Sequence, residues 1–263
     1  MNQKPWEVIS ELLQREELPA LDQYLQGLPT GEQVRALFRL TPDEQEKLLT
    51  LLPPESAADL IDDVPDAQAA ELLDNLEPGE AASIVNEMDS DEAADVLAEM
   101  DREDVEEILS LMDADEAAEA RQLIDFDPET AGGLMMKEYL SYPAATSMTE
   151  AVADIAIRGE EYPIYYLQHI FVVGPLGRLL GVAGLTDIAG AKPQTRLEEL
   201  ATPVDAINAS AGLDQLEEFF ESRDTPIAPV VDDAGRLLGA IRRRAVFDAI
   251  AERADESYLK SQG

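Results

Sequence analysis

The sequence predicts a multidomain protein: an all-α superhelix (solenoid) of short helices, then an α/β tandem repeat, then a C-terminal connecting helix. Three observations carry this. A twelve-residue apolar period runs through the first half, and a five-residue phrase returns 58 positions later in the second half. Apolar residues make up 45% of 263, enough for two separate cores and too many for a disordered acidic tail.

The period starts at Leu28. Stepping by twelve gives Leu40, Leu52, Val64, Leu76, Met88, Met100, Met112 and Ile124, all large and apolar. Eight residues after the anchors stand Ala36, Leu48, Leu60, Leu72, Ile84, Val96, Ile108 and Ala120; the next column reads Leu37, Leu49, Ile61, Leu73, Val85 and Leu97. Directly after the anchors, Pro29, Thr41, Pro53, Pro65, Glu77, Asp89, Asp101 and Asp113 end one helix and cap the next. Alanine pairs such as Ala57-Ala58 and Ala69-Ala70 let neighbouring helices approach closely. Each helix has about two turns, too few to be stable alone. Stacking buries one continuous apolar ridge, so a superhelix is expected from about residue 5 to 127.

The acid lies in the same stretch. Asp and Glu total 56 against 19 Lys and Arg, a net charge of -37, and residues 52–127 hold 26 acids but only Arg102 and Arg121 as bases. Such a field repels nucleic acid and anionic headgroups and favours cations or basic partners. Asp91 and Asp95 share a helix face, as do Asp59 and Asp62 or Asp63. Two readings fit: helix-capping and solvated faces, or oxygen ligands for a hard divalent cation such as Mg2+.

After Asp125-Phe126-Asp127-Pro128 the period stops. Gly177-Arg178-Leu179-Leu180-Gly181 returns as Gly235-Arg236-Leu237-Leu238-Gly239, each copy following an apolar strand, Ile170–Val173 or Pro229–Val231. The first glycine of each phrase marks a turn between strands. Helices are expected before the strands, Thr149 to Arg158 and Leu213 to Ser222.

This β-α-β-β-α layout resembles a pair of CBS domains. The resemblance implies adenine-nucleotide clefts, with an Asp at the strand-to-helix corner. Repeat one supplies Asp187, in Gly184-Leu185-Thr186-Asp187; it either meets a ribose or caps the helix. Repeat two reads Arg242-Arg243-Arg244-Ala245, without that Asp; these arginines suit phosphates or the acidic superhelix. Between the halves lies Glu129-Thr130-Ala131-Gly132-Gly133-Leu134-Met135. An acidic short-helix superhelix, this junction and a CBS pair together resemble the cytosolic region of the MgtE magnesium channel and transporter family. The parts are then residues 1–127 (N domain), 128–198 and 199–246 (CBS repeats), and 247–263 (start of a connecting helix).

The resemblance implies a homodimer through the CBS domains, a transmembrane channel domain as partner and a cytoplasmic location. It implies Mg2+ ligands at Asp59, Asp91, Asp95, Gly133, Asp224 and Glu256. Bound ions would let the N domain close on the CBS layer and hold the pore shut. Arg244 and Ala245 stand where family members carry an acidic pair, and a guanidinium there could pair with Asp91 or Asp95 instead of an ion.

Other classes fit less well. The chain has no cysteine, which excludes disulfides and thiol catalysis, and its one histidine, His169, sits beside an apolar run. No phosphate loop or nucleophile motif is present, so no enzyme is expected. No apolar run reaches 18 residues and no signal peptide is expected. The competing reading is a free-standing soluble protein that senses nucleotide or binds a protein partner.

Overall fold

The structure, a computed structural model, describes residues 3–158 and 169–262. It divides into two compact units, residues 1–124 and 125–263.

The first unit is ten helices: α1 (Pro5–Arg15), α2 (Leu18–Gln26), α3 (Thr30–Leu37), α4 (Pro42–Leu51), α5 (Pro54–Asp62), α6 (Asp66–Asp74), α7 (Pro78–Val85), α8 (Ser90–Ala98), α9 (Arg102–Leu111) and α10 (Ala114–Ile124). From α2 onward every helix begins twelve residues after the last. Residues Pro29, Thr41, Pro53, Pro65, Glu77, Asp89 and Asp101 hold the cap position. Their extended backbone aims the carbonyl at the new helix: Pro29 O accepts from Glu32 N at 2.8 Å, and Pro65 O from Gln68 N at 2.8 Å. Side-chain capping, expected from the Thr and Asp at this position, operates at Thr41, which forms a capping box with Glu44; Asp89 and Asp101 make no capping hydrogen bond. Proline lacks a side-chain acceptor yet holds the same place, so the position is selected for φ.

The helices stack in two columns, α5 on α7 on α9 and α6 on α8 on α10. One core runs from Ile9 to Ala120. The columns eight and nine residues past the anchors are buried throughout, as are the alanine pairs. Among the anchors, Leu40, Leu52, Val64, Leu76 and Met88 are buried, while Met100, Met112 and Ile124 pack on the core with one side exposed.

The second unit holds two sheets. The first is β2 (Ser141–Pro143), β3 (His169–Val173) and β4 (Leu179–Gly184), with α11 (Met148–Arg158), α12 (Leu185–Gly190) and α13 (Leu197–Leu200). The second has the order β1-β7-β6-β5, from β1 (Met135–Met136), β5 (Ile207–Asn208), β6 (Ile227–Val231) and β7 (Leu237–Arg242), with α14 (Leu213–Glu221) and the long α15 (Arg243–Gln262). The 58-residue shift is exact in geometry: register irregularities fall at Val172/Val173 and again at Val230/Val231. Gly177 and Gly235 both take φ +75°, which turns each hairpin.

The second glycine of each phrase makes room for a segment from the other repeat. β1 lies at the start of repeat one but pairs antiparallel with β7 of repeat two, Met136 opposite Ala240. A Cβ on Gly239 would lie 2.7 Å from the Met135 sulfur and 2.9 Å from the Met136 carbonyl. Conversely Thr202, which leads into repeat two, bridges Val182 of β4, with two backbone bonds of 2.9 Å. A Cβ on Gly181 would run into the Thr202 carbonyl.

Close packing also explains the junction glycines. A Cβ on Gly132 would strike the Phe126 ring, and one on Gly133 would stand 2.5 Å from the Asp127 carbonyl. Ala131 N and Gly132 N donate to the carbonyls of Ala211 and Ala209 at 2.8 Å, fastening the junction to repeat two.

Two substitutions separate these roles. Gly181→Ala displaces the Thr202 carbonyl and is expected to cost about 1–3 kcal/mol, as overpacking does. Gly177→Ala meets no atom within 4 Å and is expected to cost about 1 kcal/mol, from φ alone. Urea unfolding of each variant measures the difference.

Candidate functional site

The superhelix brings acids together that lie about two and a half repeats apart. Thr50 donates to Glu80 across a separation of 30 at 3.2 Å, and Lys47 meets Glu16 at 3.4 Å. The same geometry sets Asp59 near Asp89, Asp62 near Glu92, Asp66 near Glu99 and Glu87 near Glu116. The result is a ladder of facing carboxylates. Within each pair the like charges repel, and Asp59, Asp62, Asp66 and Glu116 hold their protons more tightly than a carboxylate in water.

Asp62 is the extreme case. Withdrawal from bulk water is the first cause, then the charges of Glu92, Asp89, Asp59 and Asp63; together they push it up to about 8. Its surface stays exposed, so it lines an open cavity and is not sealed in the core. The upward direction stands on its four acidic neighbours as well as on desolvation. Asp59, Asp66 and Glu116 are raised for the same reasons, loss of water first and neighbouring acids second. The cavity beside α5 is about 390 Å³, and Asp22, Gln26, Thr30, Ser56 and Asp63 share its wall with Asp59 and Asp62.

The residues expected as metal ligands fall in several places. Asp59 belongs to the ladder. Asp91 and Asp95 lie one turn apart on α8; Asp91 is buried, 4% exposed, and Asp95 is half-buried. Gly133 is buried in the junction, its N–H 3.4 Å from Thr130 Oγ1. Asp224 is exposed in the loop before β6. Glu256 lies in α15, and its side chain falls outside the described residues. Among the described residues no three acidic or imidazole groups converge closely enough to grip a bare metal ion.

One expectation changes. Asp187 does not cap α12: Gly184 is the cap residue and Asp187 stands in the first turn, its carboxylate folded back towards Gly184. Arg244 pairs with Asp248 at 3.2 Å, one turn along its own helix. Asp66, Asp89, Glu92, Glu99 and Glu116 were not singled out as ligands in the sequence. The thirty-residue spacing is the signal that finds most of them.

Residues 28–129 match the MgtE intracellular N domain and residues 197–252 the CBS domain. The chain is 29% identical over 136 residues to the magnesium transporter MgtE of Thermus thermophilus, a match covering 51% of the chain and 30% of that relative. It thus spans less than a third of that relative's length. The solved soluble part of a magnesium transporter superposes with TM-score 0.81 at 23% identity, covering 95% of this chain and 98% of that one. The solved cytosolic domain of the Mg2+ channel MgtE in complex with ATP gives TM-score 0.80 at 28% identity, covering 92% and 98%.

The ladder makes stability fall as pH rises. Folded Asp62 binds its proton up to about pH 8, whereas the unfolded group releases it near 4. Across that window the folded state carries more protons, so its advantage is complete below about pH 4 and lost by about pH 8. Asp62→Asn is expected to raise the melting temperature by a few degrees at pH 8 and to leave it unchanged at pH 4. Thermal melts at both pH values in metal-free buffer check this.

Proposed function

We propose that the chain is a member of the MgtE magnesium channel and transporter family, corresponding to its cytosolic region, and that it is a Mg2+-sensing regulatory module that gates a transmembrane magnesium pathway. It works on the cytosolic face of the membrane, pairs with a second copy through its CBS domains and catalyses no reaction. The observation that carries the reading is the carboxylate ladder. Like charges about 4 Å apart repel by roughly 1 kcal/mol in water and several-fold more where water is partly excluded. Divalent ions remove that repulsion, and several such pairs bias a domain equilibrium by several kcal/mol. With ions bound, the N domain rests on the CBS layer and the pathway shuts; without them the acids push it away and the pathway opens. Asp59, Asp91 and Asp95 are the proposed ligands on the superhelix, with Gly133, Asp224 and Glu256 serving the second unit. Bound Mg2+ supplies charge neutralisation, and the chain's carboxylates supply the oxygens.

A nucleotide role at repeat one is supported by the ATP held by one similar solved domain and by Asp187 at the start of α12. Repeat two carries Arg242–Arg244 at the matching corner and is not expected to hold a nucleotide in the same way.

Calorimetric titration with MgCl2 tests the sensor reading. Heat is expected at millimolar Mg2+. It should differ between buffers of unlike ionisation enthalpy, because Mg2+ displaces the proton held by Asp62. No heat at those concentrations overturns the reading. Asp59→Asn with Asp62→Asn is expected to weaken binding severalfold and to abolish the buffer dependence. For the nucleotide, Asp187→Ala is expected to remove any heat on titration with ATP while leaving the Mg2+ response unchanged.

A further inference from the structure

The incoming and outgoing segments of the second unit meet at one guanidinium. The chain enters through the junction loop, where Thr130 bridges Gly212 at the start of α14. It leaves through α15, which is buried at Val246. Seven residues on, Arg253 Nη2 meets Asp214 Oδ1 at 2.7 Å on the first turn of α14. Glu129 of the junction lies within electrostatic reach of Arg253, and both border one open cavity with Asp127, Thr130 and Asp214. One cation thus stands between an acid on α14, which it grips, and an acid on the incoming loop, which competes for it.

We infer that Arg253 is a positioning residue that couples the junction loop at Glu129 to the direction of α15, by dividing its charge between Asp214 and Glu129. The coupling needs no metal: it follows from two carboxylates and one guanidinium that stays charged at any working pH. A shift of the junction towards Arg253 loosens the grip on Asp214 and frees the outer half of α15. A shift away tightens it. A surface ion pair is weak enough to be exchanged in this way and strong enough to bias the helix.

Amide hydrogen exchange on the whole chain in metal-free buffer tests this. Arg253→Gln is expected to speed exchange roughly two- to fivefold over residues 247–258, the factor a surface ion pair supports. It should also alter exchange over residues 129–134. Glu129→Gln removes the junction's pull on Arg253 and is expected to slow exchange in α15. A swap of the pair, Asp214→Arg with Arg253→Asp, should restore α15 while putting two acids side by side at Glu129, so that the junction loop exchanges faster. The inference is overturned if Arg253→Gln leaves α15 at the wild-type rate. It is also overturned if α15 responds but the junction does not, or if Glu129→Gln has no effect on α15. Circular dichroism of each variant separates these outcomes from general unfolding.

Discussion

No helix of the first unit is long enough to stand alone, and everything else about that unit follows. Eight to eleven residues give two or three turns, below the length at which an isolated helix persists in water. Each must therefore stack, and stacking at a fixed period demands a helix start every twelfth residue. That rhythm fixes which positions face inward and, equally, which acids meet across the outer edge. Burying one leucine contributes about 1.5–3 kcal/mol, whereas an exposed pair of like charges costs about 1 kcal/mol. Apolar burial wins, so the superhelix forms with its acids crowded.

The core of this unit could be read directly from the sequence, because its period is local: anchors and the two columns behind them recur every twelve residues. The ladder could not, because its spacing of thirty comes from the pitch of the superhelix. Asp59 and Asp62 share a helix face by inspection, but Asp89 and Glu92 join them only once α5 and α8 occupy neighbouring levels. Asp187 failed as a cap for a different reason. In a strand that runs straight into a helix, the residue with extended backbone takes the cap, and that is Gly184.

In the second unit the repeated phrase was plain, but the purpose of its second glycine was not. Gly181 and Gly239 look like ordinary strand glycines until the segment lying against each is known. That segment comes from the opposite repeat, and β1 is two residues long, too short to register as a strand by pattern. The junction glycines are a similar case: Gly132 and Gly133 carry the family resemblance as a motif, but the ring of Phe126 and the carbonyl of Asp127 are what exclude a side chain.

The exchange of strands between the repeats bears on how the protein is made. β1 leaves the ribosome about a hundred residues before its partner β7, and Met135 and Met136 are fully buried only when that partner arrives. The nascent second unit therefore carries two methionines without their cover until its last strand is synthesised, while the helical unit, whose contacts are short in sequence, completes itself level by level. Neither repeat is a portable module. Cut between them, each loses the piece that completes its sheet, so the pair has to be lengthened, swapped or inherited whole.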